Sequence, residues 1–313
     1  MYHEPVLLHE VLEAMAVRPG QAVVDGTVGG GGHTQALCER VGPTGKVIGL
    51  DRDPEALAEA GRRLARFRDR LVLIQENFAR LGMVLDGLAI AKIDSGLLDL
   101  GPSLHQLKSA ERGFGFGQKG PLDMRMDPAE ARGAKELLQA LSLADLERHL
   151  RQAGEARFSR PIARAIVRRR EQGHPLETTA DLARLVEEVV PRRAWPTGVH
   201  PATKTFLALR LLVNRELESL EAALPELLAR LKPGRRMAVL TYHSLEDGLV
   251  KEFLRQEAHG CLCPPEVLVC RCGHQPSLRV LTRRPVRPGA EELEHNPRSR
   301  SAKLRAAEKL EVS

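Results

Sequence analysis

A glycine run flanked by carboxylates is the first feature of this chain that could do chemistry. Val23-Val24-Asp25-Gly26-Thr27-Val28-Gly29-Gly30-Gly31-Gly32-His33 lies where a short apolar run gives way to a helical pattern. Glycines there let the backbone approach a ligand closely, and the helix that follows offers free N–H groups. Asp51 closes the next apolar run, 26 residues beyond Asp25. An acid at that point can accept ribose hydroxyls. The loop lacks G-x-G-x-x-G spacing and begins with a carboxylate, which repels a pyrophosphate but suits an ammonium or sulfonium group. The pattern therefore favours S-adenosylmethionine (AdoMet) over NAD, with a ligand-free glycine turn as the bland alternative.

Three further groups of residues carry chemical potential. Leu98-Asp99-Leu100-Gly101-Pro102-Ser103 follows a fourth apolar run. Enzymes that methylate exocyclic amines often carry an acid, Asn or Ser followed by Pro-Pro-aromatic there, because an oxygen acceptor on the N–H groups helps the nitrogen expose its lone pair. Asp99 supplies the acceptor, although the Pro-Pro-aromatic form is absent. Tyr242-His243-Ser244-Leu245-Glu246-Asp247 closes a later strand; His243 could relay a proton, or the segment could simply cap a helix. A Ser-His-Asp hydrolase is a poor fit, since such triads are assembled from separate segments. Cys261-x-Cys263 and Cys270-x-Cys272 place four of the five cysteines within twelve residues. Two thiolate pairs can ligate zinc tetrahedrally, though C-x-C is tighter than usual, so free thiols or a disulfide stay open.

These residues need a scaffold that brings strand ends together. Apolar runs at 21–25, 46–51, 71–74 and 95–99 alternate with helical stretches at 34–41 and 54–67, the signature of a parallel sheet covered on both faces. Such a sheet binds ligands at the carboxyl ends of its strands. From 104 to 127 the chain is a glycine-rich loop. Helical periods follow at 134–153, 161–172, 179–190 and 203–231, and strand signal returns at 236–242 and 278–281. The economical reading is an α/β sheet domain, residues 1–103 and 216–313, interrupted by a mainly helical insertion over 104–215.

Composition bounds the partners. The 313 residues carry a net charge of +6, and 42% apolar with 28% charged residues is globular rather than disordered. The insertion alone holds 20 Lys+Arg against 13 Asp+Glu, an excess that points to an anionic partner such as nucleic acid, or to a solvated helical surface. No run approaches a membrane span, and the first residues lack a secretory pattern. We expect a cytoplasmic protein with reduced thiols and no membrane partner. The tail from Asn296 to Arg305 holds four basic residues and no acid; it is expected either to clamp phosphates or to be a solvated terminus.

The motifs together resemble the RsmH (MraW) family of bacterial methyltransferases, which use AdoMet to methylate N4 of a cytidine at the decoding region (P site) of 16S ribosomal RNA. The likeness runs almost end to end. It includes His3-Glu4-Pro5-Val6-Leu7-Leu8, Asp25 through His33, Asp51-Arg52-Asp53-Pro54, Asn77-Phe78, Leu98-Asp99-Leu100-Gly101 and Gly113-Phe114-Gly115-Phe116. It continues through Pro121-Leu122-Asp123-Met124-Arg125-Met126-Asp127, His200-Pro201-Ala202-Thr203, His243-Ser244-Leu245-Glu246-Asp247 and Asn296 through Arg305. The resemblance implies a class I AdoMet-dependent methyltransferase (Rossmann-like) sheet with an inserted helical, substrate-recognising domain. It implies cofactor contacts at Gly31, Gly32, His33, Asp51, Phe78, Asp99 and Gln106.

The target base is then expected at a lip formed by Asp99, Asp123 and His243. The partner is 16S ribosomal RNA or the small subunit rather than DNA, and the enzyme is expected as a monomer or homodimer. Competing readings are a non-catalytic ribosome-binding or assembly protein and a nucleotide-dependent oxidoreductase. Three departures touch the presumed site. Pro102-Ser103-Leu104 replaces the family's usual Val-Ser-Ser, Phe114-Gly115-Phe116 replaces Phe-Ser-Phe, and Thr241-Tyr242-His243 replaces Ser-Phe-His, with Gly248 for Arg.

Overall fold

The computed structural model describes residues 5–263 and 269–311; His3 and Glu4 of the first shared motif lie outside them. The chain forms two compact units, one of Met1–Gly101 with Leu217–Ser313 and one of Pro102–Glu216.

The first unit is built on β1 (Ala22–Asp25), β2 (Lys46–Asp51), β3 (Leu71–Gln75), β4 (Ile93–Asp99), β5 (Leu231–Thr241), β6 (Leu278–Val280) and β7 (Lys303–Lys309). They form one sheet in the order β3-β2-β1-β4-β5-β7-β6. The first five run parallel, and β7 lies antiparallel to both β5 and β6. This is the methyltransferase-type α/β sheet that the resemblance implies. Alternate residues point to opposite faces, and both faces are covered. Val24, Ile48, Leu98, Met237 and Val239 pack on one side with Leu220, Leu224 and Leu227 of the helix Glu216–Arg230. Val23, Val47, Leu97, Ala238 and Leu240 pack on the other with Leu37 and Val41 of the helix Gly32–Val41. Burial on both faces explains why the strands read as near-continuous apolar runs.

Two expectations are corrected here. The apolar pattern over 203–231 is not one helix: Arg215 adopts φ 49°, ending the helix Thr203–Asn214, and β5 already starts at Leu231. The basic tail is neither a free clamp nor a solvated terminus throughout. Lys303 and Arg305 belong to β7, paired with β5, and both bind Asp247, at 2.9 and 2.7 Å. Arg298 and Arg300 stay exposed.

The second unit is helical, with no strand longer than an isolated bridge among the described residues. Leu138, Leu146, Leu150, Ile162, Ile166, Leu182, Val186, Phe206 and Leu209 form its own core. Arg170 donates to the carbonyls of Leu138, Gln139 and Leu141, capping the helix Ala134–Ala140.

Candidate active site

Three neighbouring parallel strands, β2, β1 and β4, each end in an aspartate: Asp51, Asp25 and Asp99. These carboxyl ends define one rim, and the glycine loop leaves it between Asp25 and the helix Gly32–Val41. The three acids do different things.

Asp25 is fully buried and faces inward. Its carboxylate accepts from the Thr34 hydroxyl at 2.7 Å and the Thr27 N–H at 3.1 Å. Burial raises its pKa, opposed by the Thr34 hydrogen bond and the charge of His33. The expectation of an acid beside the cofactor's cationic group does not apply to Asp25, which braces the loop from behind.

Asp51 holds the loop's outer turn. It accepts from the Gly29 N–H at 2.7 Å and the Asp53 N–H at 2.9 Å, while Val28 N–H binds the Leu50 carbonyl. Burial pushes the Asp51 carboxyl up to about 6 despite these donors. A carboxylate has about four lone-pair sites, so two donors leave acceptor capacity for a diol. Gly31 sits at φ +78°, and a Cβ there would touch Leu64 at 3.0 Å. Glycine at this point therefore satisfies both the backbone conformation and close packing. The helix that follows has no side-chain cap, so its first N–H groups remain available to an anionic group.

Asp99 is the most elaborately held. The Tyr242 hydroxyl donates to its Oδ1 at 2.7 Å, and His33 Nδ1 stands 3.4 Å from its Oδ2. Its own N–H donates to the Thr27 hydroxyl at 2.6 Å. His33 Nε2 lies 3.0 Å from the Val6 carbonyl, which can only accept. With acceptors at both ring nitrogens the imidazolium is favoured. His33 is accordingly raised in pKa: desolvation opposes the charge, but the bond to Asp99 and the nearby Asp99 and Asp25 charges outweigh it. Desolvation, then the Asp99 charge, hold the Tyr242 phenol well above its usual value. Tyr242 is thus a neutral donor.

Phe78 begins a short 3-10 turn after β3. Its ring is half-buried, and its Cβ stands close behind Gly26. Asn77 fixes that turn by accepting from the Ala79 N–H and donating to the Ser219 hydroxyl. The donor and acceptor set fits AdoMet: a carboxylate at Asp51 for the ribose, an aromatic face at Phe78, uncapped N–H groups, and the Asp99 carboxylate toward a cationic centre.

His243 caps the helix Ser244–Glu257. Its Nδ1 accepts from the Glu246 N–H, and its Nε2 lies 3.0 Å from Glu246 Oε1, without hydrogen-bond geometry. Glu246 in turn accepts from the Tyr242 N–H. The segment caps its helix, and Glu246 ties the Tyr242 backbone to that cap. Sequence reasoning treated Tyr242 only as a departure from Phe and missed its hydroxyl on Asp99. Thr27, which steadies Asp99 from the loop, was missed as well.

Gln106 and Asp123 belong to the second unit. Gln106 is buried, and its side chain closes a capping box with Ser103 on the helix Leu104–Lys108. Asp123 pairs with Arg125, whose Nη2 approaches to 2.7 Å. Burial alone would raise the Asp123 carboxyl, but the Arg125 hydrogen bonds and charge hold it below its ordinary value. Arg125 also donates to the Pro128 and Glu130 carbonyls, and Arg112 to the Arg125 and Met126 carbonyls. Buried Asn214 accepts from the Met126 N–H and donates to the Met124 carbonyl. At their centre Met124, fully buried, is held at φ +64°. A non-glycine residue in that region is strained and persists only when its surroundings over-determine it.

The four cysteine sulfurs of 261, 263, 270 and 272 lie within 4.8 Å of one another, on the connection between the helix Ser244–Glu257 and β6.

Known proteins with similar sequences place the chain in a family. The model of the family described as the MraW methylase family matches residues 1–310. A ribosomal RNA small subunit methyltransferase H of Heliobacterium modesticaldum is 49% identical, covering 99% of each chain. Proteins of the same name from Pelobacter propionicus and Trichlorobacter lovleyi are 50% and 49% identical. The alignments cover 98% of each chain for the former, and 99% of this chain and 98% of that one for the latter.

Proposed function

The chain belongs to the MraW methylase family, and from that premise we propose that it methylates the exocyclic N4 of a cytidine in 16S ribosomal RNA. The position is the decoding region, at the P site. The observation that carries the reaction type is Asp99, a carboxylate at the end of β4 held at one oxygen by Tyr242 and approached at the other by His33.

AdoMet supplies an electrophilic methyl group on a sulfonium centre. The chain's part is binding and orientation. Asp51 would accept the ribose hydroxyls, Phe78 would pack against the adenine, and Gly31, Gly32 and His33 would hold the rest of the cofactor. In-line displacement requires nitrogen, carbon and sulfur nearly collinear, so the cytosine must leave its stack. Asp99 then accepts an N4–H, which helps the nitrogen pyramidalise and directs its lone pair. The methylated amine is acidic enough to give its proton to water, so placement matters more than a strong base. His33 and Tyr242 keep Asp99 from rotating.

For His243 and Asp123 we propose positioning rather than proton transfer. His243 fixes the turn that carries Tyr242, and Asp123 anchors the 121–134 loop through Arg125. Gln106 acts through its capping box. Residues 104–215 are the substrate-recognising insertion, and their basic surface meets the phosphates.

The test is methylation of small ribosomal subunits from cells lacking this protein, using labelled AdoMet, followed by nucleoside mass spectrometry. N4-methylated cytidine in the decoding region is expected. Label on another nucleoside would overturn the reading, as would subunit binding without transfer.

A further inference from the structure

Free cysteine is among the most buried residue types and packs as a small hydrophobe. Cys38 behaves that way, fully buried in the sheet core. Cys261, Cys270 and Cys272 are exposed and Cys263 is half-exposed, yet their sulfurs converge. Apolar packing gives no reason for such a cluster in solvent.

Three of the sulfurs stand at the spacings of a metal thiolate cluster, and that of Cys263 lies within 4.8 Å of each of them. The Sγ atoms of Cys261 and Cys270 are 3.4 Å apart, Cys270 and Cys272 3.6 Å, and Cys261 and Cys272 3.8 Å. Four sulfurs about 2.3 Å from one zinc ion sit at tetrahedral edges of about 3.8 Å. A disulfide would need about 2.05 Å, and all four cysteines are free. Backbone donors already point at the sulfurs: Leu262 N–H to Cys272 Sγ and Cys263 N–H to Cys261 Sγ, both at 3.4 Å. Such donors orient thiolate ligands and offset their charge.

We propose that Cys261, Cys263, Cys270 and Cys272 hold a structural Zn2+ ion. Four soft donors leave no open coordination position, so the site is closed and not catalytic. The helix Ser244–Glu257 has 14 residues and so separates its His243 cap from the cysteine end by about 20 Å. The ion joins the two cysteine pairs of this connection, Cys261 with Cys263 and Cys270 with Cys272. The Ser277 N–H donates to the Glu257 carbonyl at 2.8 Å, and His274 Nε2 meets the Gln256 carbonyl at 3.1 Å. The zinc clip thereby ties the C-terminal end of the helix Ser244–Glu257 to the edge strand β6.

The full chain, purified with reductant and without chelator, is analysed for zinc and iron by plasma mass spectrometry. One zinc per chain, retained through gel filtration, is expected. A Cys261→Ser, Cys272→Ser double variant should lose it and melt at lower temperature while binding S-adenosylhomocysteine as the parent does. A second measurement needs no variant. Chelator-stripped protein titrated with Co2+ alone should show the visible absorption of tetrahedral cobalt tetrathiolate, abolished by equimolar Zn2+. Protein that elutes free of zinc after incubation with Zn2+ under reductant would overturn the proposal. So would iron in place of zinc, or disulfides among the four cysteines in freshly prepared protein.

Discussion

Asp51 offers a quantitative test, because its predicted ligand contact and its titration involve the same atoms. Its carboxyl lies at about 6 before ligand binds, pushed up by burial. Only the ionised form accepts from two ribose hydroxyls as well as from Gly29 and Asp53. Protonation converts one acceptor oxygen into a donor, so affinity should be full above the pKa and fall below it. The ionised fraction drops about tenfold between about pH 7 and pH 5, and affinity should follow it. Asp51→Asn removes the charge while keeping one acceptor oxygen. Losing hydrogen bonds to a charged group costs about 1.5–3 kcal/mol, or about 10- to 150-fold in Kd near pH 7. Calorimetry with S-adenosylhomocysteine between about pH 5 and 7 stays below the α-amino titration. The parent should weaken as pH falls, and the Asn variant should be weaker but nearly flat. An Asn variant with the parent's affinity, or with the parent's pH profile, would refute the assignment of Asp51 to the ribose.

Other residues give further tests. Asp99→Ala should abolish turnover even at saturating AdoMet; full rescue by cofactor would reduce Asp99 to a binding residue. Tyr242→Phe removes only the hydroxyl on Asp99 and should lower kcat by up to about tenfold with the fold intact; an unchanged kcat would show that Asp99 does not depend on it. Asn214→Ala, at a 2% exposed residue with bonds to the Met124 and Met126 backbone, should cost roughly 2–4 kcal/mol in urea unfolding. A loss below about 1 kcal/mol would contradict its bracing role. Arg170 is committed to a helix end, so the RNA test falls on exposed Arg164 and Arg168. Replacing both should lower the slope of log K against log salt for ribosomal subunits by up to about 2. An unchanged slope would remove them from the RNA surface.

The central strands were legible because a sheet covered on both faces requires continuous apolar runs, and 21–25, 46–51 and 95–99 have them. β7 was not, since Lys303 and Arg305 read as solvated charge until Asp247 is placed beside them by the fold. The break at Arg215 was hidden for a different reason. Apolar periodicity continues across it, and a single positive-φ residue without glycine leaves no mark in composition. At the rim, Asp51 and Asp99 were readable as strand-terminal acids. The burial of Asp25 was not, because Thr34 reaches it only once the glycine loop has turned. Tyr242 lies 143 residues from its partner Asp99, and no local pattern announces such a pair. The cysteine cluster was visible as spacing, but the convergence of its sulfurs belongs to the fold.

We propose that this chain places one methyl group on N4 of a decoding-region cytidine through the rim at Asp99. That claim is tested most directly by mass spectrometry of 16S ribosomal RNA from cells lacking the protein, complemented either with the parent chain or with Asp99→Ala. N4-methylation at that cytidine should disappear in the deletion, return with the parent and stay absent with the variant. Methylation that persists in the deletion, or that returns fully with Asp99→Ala, would contradict it.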